Sequence, residues 1–404
     1  MTDSSNKKTK LLFVTTSFPQ YEGDIAGSFF LPLLKNLSDQ YDIEVLIPDN
    51  NCFQGYIDYV TVTKYKYFFK KNWQKLTGAQ GIPENIKQQP IICFQFPFLI
   101  ISLSCNIYKL AKRSDLIISN WLLPSGICGA LVAKLLKKPH LIIEHSAGAH
   151  YIKKLPFCSA LMRFIIKHSN KLILVSPFIE KTLNDFITEK EKVEIIPMGI
   201  EIDQFESEFN YEMIKKEYGV PPNNTIVLFM GRLVEIKGLD VLIHALSNIL
   251  NVTLVIAGDG EKIEYYKQLA RKLNVDTIFT GFVSGYEKIK LLKVADIFVI
   301  PSLEVEHGRT EGSPVVLMEA MAAEKIIIAS DAGGISNMIE HNVNGLLVEP
   351  GKVEELKKSI SMVVANKDFY YKLAKEAKIS SLTFDIKMIT QKYFDIIENV
   401  INDE

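Results

Sequence analysis

Several things are missing from this sequence, and each absence removes a class of answer. Net charge is missing: 46 Lys and Arg against 47 Asp and Glu leave a formal −1 over 404 residues, so no global field points to nucleic acid. Cysteine is sparse. The five (Cys52, Cys93, Cys105, Cys128 and Cys158) are dispersed, odd in number and without CxxC spacing. That argues against a disulfide framework and a zinc site, and for a reducing cytosol. No run of about eighteen apolar residues occurs, and the nearest, Pro97 to Cys105, is too short to span a bilayer. Met1 to Lys10 is polar, lacks the apolar core of a signal peptide and reads as a loose tail. No two aspartates are spaced as DxD, so a metal-chelated diphosphate is not indicated. No strand is followed by a complete GxGxxG either: Gly258-Asp259-Gly260 would need glycine where Ile263 stands. A dinucleotide-dependent dehydrogenase is therefore disfavoured.

What is there is a globular composition, 48% hydrophobic and 23% charged, in a chain too long for one core and suited to two domains. Short apolar runs alternate with helix-length segments. Strands are predicted in the first half at 10–16, 43–47, 116–119, 140–143, 171–175 and 193–196. In the second half they are predicted at 226–230, 253–257, 278–280, 297–300, 325–329 and 345–348. Helical segments include 125–136, 238–250, 261–273 and 353–366. Such alternation implies parallel sheets built from βαβ units, covered by helices on both faces. The charged segment 200–224, ending in Pro221-Pro222-Asn223-Asn224, reads as a linker. The expected fold class is α/β, with two Rossmann-like doubly wound parallel-sheet domains facing a central cleft. Ligands then bind beyond the carboxyl ends of the strands.

The loops after the strands carry the chemistry. Glu311 to Glu319 reads Glu-Gly-Ser-Pro-Val-Val-Leu-Met-Glu. Ser313 before Pro314 is a helix-start signal. The predicted helix, 314–323, is apolar except for Glu319, whose neighbours three and four residues away are Val315, Val316, Ala322 and Ala323. A desolvated carboxylate there needs a partner: a ligand's hydroxyls, or a Lys or Arg elsewhere, unless the helix is exposed. Gly231-Arg232 and Lys237-Gly238 follow the first strand of the second half. Their cations can converge on a diphosphate or be two solvated surface charges. Gly281-Phe282-Val283 can offer backbone groups to a flat base. In the first half, Tyr21 to Gly27 is a glycine loop ahead of a helix from Ser28, either an anion-facing loop or a plain turn. His145 ends a strand beside small residues, with room for a substrate, or is a capped core histidine. Together, two cations, a helix N-terminus and two carboxylates suit the diphosphate and hydroxyls of a nucleotide sugar.

These residues resemble glycosyltransferase family 4, the retaining GT-B enzymes, over nearly the whole chain. The resemblance rests on Gly27, Ile196-Pro197-Met198-Gly199-Ile200, Gly231-Arg232 with Lys237-Gly238, and the pair Glu311 and Glu319 followed by Ala320-Met321-Ala322. Gly333-Gly334 and Asn344-Gly345-Leu346-Leu347-Val348 complete it. It implies an acceptor-side domain at 1–203, a nucleotide-sugar domain at 204–384 and a C-terminal helix at 385–404 packing back on the first. It implies that Arg232 and Lys237 hold the donor diphosphate with the N–H groups of Val315 and Val316. Glu319 would bind the ribose and Glu311 the transferred sugar, with Gly312 and Ser313 in the same loop. Phe282 and Val283 would flank the base, and Gly27 would approach the phosphate or acceptor. His145 would stand near the donor sugar and join Glu311, Arg232 and Lys237 as the catalytic set. The chain departs from the family at Met198, where members often carry Asn, and at Gly148, where they often carry an acid. The segment 304–310, with His307-Gly308-Arg309, resembles members acting in surface polysaccharide assembly.

The implied reaction is retaining transfer of a hexose from UDP- or GDP-hexose to a glycan or lipid-linked acceptor, with no metal or other cofactor. Arg232, Lys237 and the helix N-terminus would stabilise the leaving charge, with same-face attack and Glu311 as a positioning group. The alternatives are a nucleotide-sugar 2-epimerase of the same architecture and a non-catalytic sugar-nucleotide-binding protein. Tyr59 to Leu76 points elsewhere: Lys64, Lys66, Lys70, Lys71 and Lys75 interleave with Tyr65, Tyr67, Phe68, Phe69 and Trp73. It reads as a contact for an anionic membrane surface, or as a solvated loop or edge strand with buried rings. Nothing else supports a nucleic-acid partner. The expected location is cytoplasmic, peripheral on the inner face of the cell membrane.

Overall fold

Aliphatic runs that are apolar on both sides can be covered only by helices on both faces of a sheet. The computed structural model describes residues 8–22, 24, 27–49, 55, 57–78, 81–145, 149, 152–153, 157–305 and 310–402. Among them two parallel sheets form. The first has the order β3-β2-β1-β4-β5-β6-β7. Its strands are β1 (Lys10–Val14), β2 (Asp42–Pro48), β3 (Thr61–Tyr65), β4 (Leu116–Asn120), β5 (His140–Glu144), β6 (Lys171–Leu174) and β7 (Val193–Ile195). The second has the order β10-β9-β8-β11-β12-β13. Its strands are β8 (Thr225–Met230), β9 (Val252–Ala257), β10 (Thr277–Gly281), β11 (Ile297–Ile300), β12 (Ile326–Ser330) and β13 (Leu346–Val348). The fold is α/β, with one Rossmann-like parallel sheet in each of two compact units. One unit comprises Met1–Gly199 with Ile386–Glu404, the other Ile200–Asp385. In both sheets the strand order reverses beside the first strand of the unit, at β1/β4 and at β8/β11, where doubly wound sheets bind ligands.

All the strands expected from the sequence form, with ends shifted by a residue or two. One was missed. β3 pairs only with β2, at the sheet edge, and most of its residues are not buried, so it lacks the two-sided apolar signature. It lies within the basic aromatic segment and divides that segment's rings. Tyr65, Tyr67 and Phe68 are core, whereas Phe69 and Trp73 are exposed. The linker reading of 200–224 is also corrected. That segment folds as part of the second unit, because Ile202, Phe205, Ile214 and Val220 are buried and the charges sit on the outer side of the short helix Tyr211–Glu217. The helix expected at 238–250 stops at Leu246, ahead of Asn248 and Asn251, which take positive φ. The apolar run seen as Pro97 to Cys105 is part of a longer helical stretch, Pro90–Ala111, of 22 residues. Residues 1–7, read as a loose tail, lie outside the described residues.

The C-terminal helix, Ile386–Asn402, belongs to the first unit. It buries Ile389, Tyr393, Ile397 and Val400 and packs on the helix Leu31–Ser38, where Asn36 Nδ2 donates to Thr390 Oγ1 at 3.4 Å. Ile397 is wholly buried, so Ile397→Ala should destabilise by ~2–4 kcal/mol through lost transfer energy and a residual cavity. Met388 on the same helix is exposed, and Met388→Ala should change little. Urea unfolding of both variants checks the contrast.

Candidate functional site

In the second unit the ends of β8, β11 and β12 converge because backbone meets backbone. Gly238 has φ 63°, and a Cβ there would run into the Pro301 carbonyl at the end of β11. This contact sets the turn Glu235–Lys237 beside Ser302. After β12, the Gly334 N–H donates to the Glu311 carbonyl at 2.8 Å, and a Cβ on Gly334 would collide with the Gly312 carbonyl. The glycine pair read from the sequence thus holds the Glu311–Gly312 loop in place. As a result Lys237 Nζ lies 2.6 Å from Glu311 Oε1, and both side chains are mostly buried. Ser302 Oγ approaches the same carboxylate oxygen at 3.4 Å.

The helix after this loop is Val315–Ala322, with Pro314 at its cap and no side-chain cap bond. The expected Ser313 cap and Pro314 first position are therefore each one place early. The extended backbone of Pro314 (ψ 107°) delays the first helical turn. The N–H groups of Val315 and Val316 donate to no described residue, so the positive end of the helix is uncapped there. Glu319 is 5% exposed. The partner left open by the sequence is Lys288, whose Nζ sits 2.5 Å from Glu319 Oε1. Lys288 lies on the helix Gly285–Val294, just past Phe282 and Val283. Burying Glu319 unpaired would cost several kcal/mol, so the pair is a condition of the local fold. Arg232 is exposed and makes no side-chain hydrogen bond or ion pair among the described residues. An open groove of about 620 Å³ runs beside Phe279, Phe282 and Val283; the two lysine–glutamate pairs do not line it.

In the first unit, Gly27 (φ 74°) opens the turn Ser28–Phe30 that packs against His145. The rings of Phe29, Phe30 and Trp121 lie 5.2, 5.0 and 5.4 Å from the imidazole. Desolvation by this surround pushes the His145 pKa down to about 3, so the ring is neutral at ordinary pH. Buried Asn120 donates from Nδ2 to the Val14 carbonyl at 3.3 Å, leaving its Oδ1 as the acceptor 3.2 Å from His145 Nε2. The proton therefore resides on Nε2, and Nδ1 is the acceptor. Glu144, wholly buried one residue earlier, accepts from the Leu122 N–H at 2.8 Å and the Ala149 N–H at 3.3 Å. Gly23, Ile25, Ala26, Ser146, Ala147, Gly148, His150 and His307-Gly308-Arg309 lie outside the described residues.

Sequence reasoning missed Lys288, Ser302 and Asn120. The burial of Glu319 announces that a cation is needed but does not say which of 46 supplies it. Ser302 and Asn120 are ordinary strand-end residues until the fold brings them to a carboxylate and an imidazole. Among the described residues no group of three or more His, Cys, Asp or Glu side chains is arranged to hold a metal.

Residues 33–204 match the model of Glycosyltransferase Family 4, and residues 210–380 that of Glycosyl transferases group 1; between them these cover most of the chain. The protein belongs to the group 1/family 4 glycosyltransferases. This glycosyltransferase is 31% identical over 264 residues to an uncharacterised glycosyltransferase of Methanocaldococcus jannaschii, covering 62% of this chain and 66% of that protein. It is 28% identical over 222 residues to the GDP-mannose-dependent alpha-(1-6)-phosphatidylinositol monomannoside mannosyltransferase of Mycobacterium tuberculosis, covering 53% of this chain and 57% of that one. The crystal structure of Anabaena HepE in complex with UDP and glucose superposes with a TM-score of 0.75 at 20% identity, over 97% of this chain and 100% of that one. The fold is GT-B.

The two desolvated histidines, His140 in the core and the partly buried His145, make stability depend on pH. His140 is wholly buried, with Nδ1 3.3 Å from the His168 carbonyl, and its pKa is pushed down to about 4. Between the ordinary value of 6.5 and these lowered values the unfolded chain binds protons that the native chain refuses. Stability is then lost as pH falls below 6.5, at roughly 1.4 kcal/mol per pH unit for each histidine. Urea unfolding at a series of pH values should show a shallower acid slope for His145→Gln than for the wild type. Equal slopes would mean that the imidazole is not desolvated.

Proposed function

We propose that this glycosyltransferase moves a hexose from a nucleoside diphosphate sugar to a glycan or lipid-linked acceptor with retention of anomeric configuration, in cell-surface polysaccharide or glycolipid synthesis. The observation that carries the reading is the pair of lysine–carboxylate contacts around one uncapped helix start. A donor diphosphate would replace Glu311 as the partner of Lys237 and take the free N–H groups of Val315 and Val316. That exchange releases Glu311 to the hydroxyls of the transferred sugar, with Gly312 and Ser313 in contact range of the same loop. Glu319, beside Lys288, takes the ribose hydroxyls. Arg232, unpaired among the described residues, supplies the second cation, so the diphosphate needs no metal. Phe282 and Val283 flank the base. The mycobacterial relative is GDP-mannose-dependent by name and the Anabaena structure holds UDP and glucose, which supports a nucleoside diphosphate sugar as donor.

In this reading the acceptor hydroxyl attacks C1 on the face the diphosphate leaves. The new C1–O bond forms as the C1–phosphate oxygen bond breaks, and the hydroxyl proton passes to the departing phosphate. Arg232, Lys237 and the helix N-terminus stabilise the leaving charge where it develops. Glu311 positions the sugar. His145, neutral and with Nε2 held by Asn120, offers Nδ1 to a substrate hydroxyl, and Gly27 sets the turn packed against it.

A thermal-shift series with UDP, GDP, ADP and their sugars should raise the melting temperature for one nucleotide class. Arg232→Ala should nearly abolish turnover while the fold is retained, and wild-type-like activity would sink the assignment. Gly334→Ala should displace the Glu311 loop and raise donor KM about tenfold to a hundredfold, because small misplacements of a positioning group are costly. Product NMR should show a retained anomer. An isomerised free donor formed without acceptor would instead identify an epimerase.

A further inference from the structure

The helix Phe96–Ala111 is apolar on both faces. Its inner stripe, Leu99, Leu103, Ile107 and Leu110, is buried in the core of the first unit. On a water-facing surface helix the opposite stripe should be polar. Here it is not: Phe94, Phe98, Ile101, Cys105 and Tyr108 follow one another at four- and three-residue steps, all exposed, and Ile91 is 78% exposed just before them. The stretch Pro90–Ala111 is long and apolar enough to cross a membrane, yet only 28% of its most apolar window is buried. Because the inner stripe is committed to the core, this helix has one free face and lies along a surface.

The exposed side of the basic aromatic segment adjoins it. Ser102 Oγ donates to the Lys66 carbonyl at 2.7 Å, and the ring of Phe98 lies 5.3 Å from Phe68 and 5.9 Å from Phe69. A shallow groove of about 360 Å³, lined by Lys66, Tyr67, Phe68, Phe69 and Phe98, joins the two elements. Charge is one-sided: Tyr59 to Ser114 carries eight lysines and one arginine against a single acid, Glu84, and among these cations Lys71 and Arg113 pair with acids from outside it, Asp49 and Glu44. Lys70 stands over the Trp73 ring at 5.2 Å and Lys112 over the Tyr108 ring at 4.5 Å, each a cation beside an exposed aromatic ring.

We infer that this face is a membrane-docking surface that lies in the headgroup layer of an anionic bilayer. Its apolar stripe would be buried to the acyl boundary, with its lysines paired to lipid phosphates. Apolar area alone would suit any hydrophobic partner. The excess of cations, with rings suited to the interface, selects anionic lipid. This moves the main anchor from the segment 59–76, half of whose rings are core, to the outer stripe of the neighbouring helix. The inference stands apart from the donor chemistry, whose groups lie in the second unit.

The test is co-flotation with vesicles of phosphatidylcholine, alone or mixed with phosphatidylglycerol, at low and high salt. The wild type should float with the mixed vesicles, and less so at high salt. Replacing Phe94, Phe98, Ile101 and Tyr108 together with Ser should lower the partition about tenfold or more. Replacing Lys66, Lys70 and Lys75 with Gln should remove most of the salt-sensitive part. Circular dichroism and the nucleotide thermal shift should be unchanged in both, which separates loss of docking from loss of fold or of donor binding. The chain has two tryptophans, so in a Trp121→Phe background brominated lipid should quench Trp73. The inference is overturned if the wild type floats with neither vesicle, or if the serine variant floats like the wild type. It is equally overturned if light scattering shows a dimer that the serine substitutions dissociate, since a second copy would then cover the face.

Discussion

A carboxylate held out of water needs a partner, and the second unit supplies an ammonium twice across nine residues of chain. Glu311 faces Lys237 at 2.6 Å and Glu319 faces Lys288 at 2.5 Å. The helix start that separates the two acids keeps its first N–H groups uncapped. The arrangement rests on close backbone contact: Gly238 against Pro301, and Gly334 against Gly312, admit no side chain. A Cβ at either would push the loops apart and leave a carboxylate or an ammonium without its partner. Fold and site thus share one condition, which is that the strand ends touch.

The first unit handles buried polarity differently. His145 is kept neutral by its aromatic surround and fixed in one tautomer by Asn120. The carboxylate of Glu144 is satisfied by backbone N–H groups, and His140 spans Ser119 and the His168 carbonyl. The contacts described there are hydrogen bonds to amide, hydroxyl and backbone groups. In the second unit two lysines are held in ion pairs, of which the Lys237–Glu311 pair is the one exchanged in the proposed reaction.

The same hydrophobic bookkeeping explains the helix Phe96–Ala111. Its inner face is spent on the core, and its outer face remains apolar although no other described element covers it. Basic and aromatic residues drew attention to Tyr59–Leu76, but pairing of β3 with β2 turns Tyr65 and its neighbours into core, and the exposed rings lie largely on the adjoining helix.

Pattern alone was enough for two parallel sheets, because long aliphatic runs alternating with helical segments have few other solutions. It was also enough for the segments that matter, since the Glu311–Glu319 stretch, Arg232, Lys237 and the Gly333-Gly334 pair all stand in connections that follow strands. It failed where information is not local. The edge strand β3 lacks a two-sided apolar signal, and the charged stretch 200–224 hides five core residues among solvated ones. Which lysine meets Glu319, which amide sets the His145 proton, and which face of an all-apolar helix stays uncovered were decided only by the tertiary structure. Each depends on residues distant in the chain arriving within a few ångströms, and Coulomb attraction, hydrogen bonding and burial act on that distance rather than on sequence order.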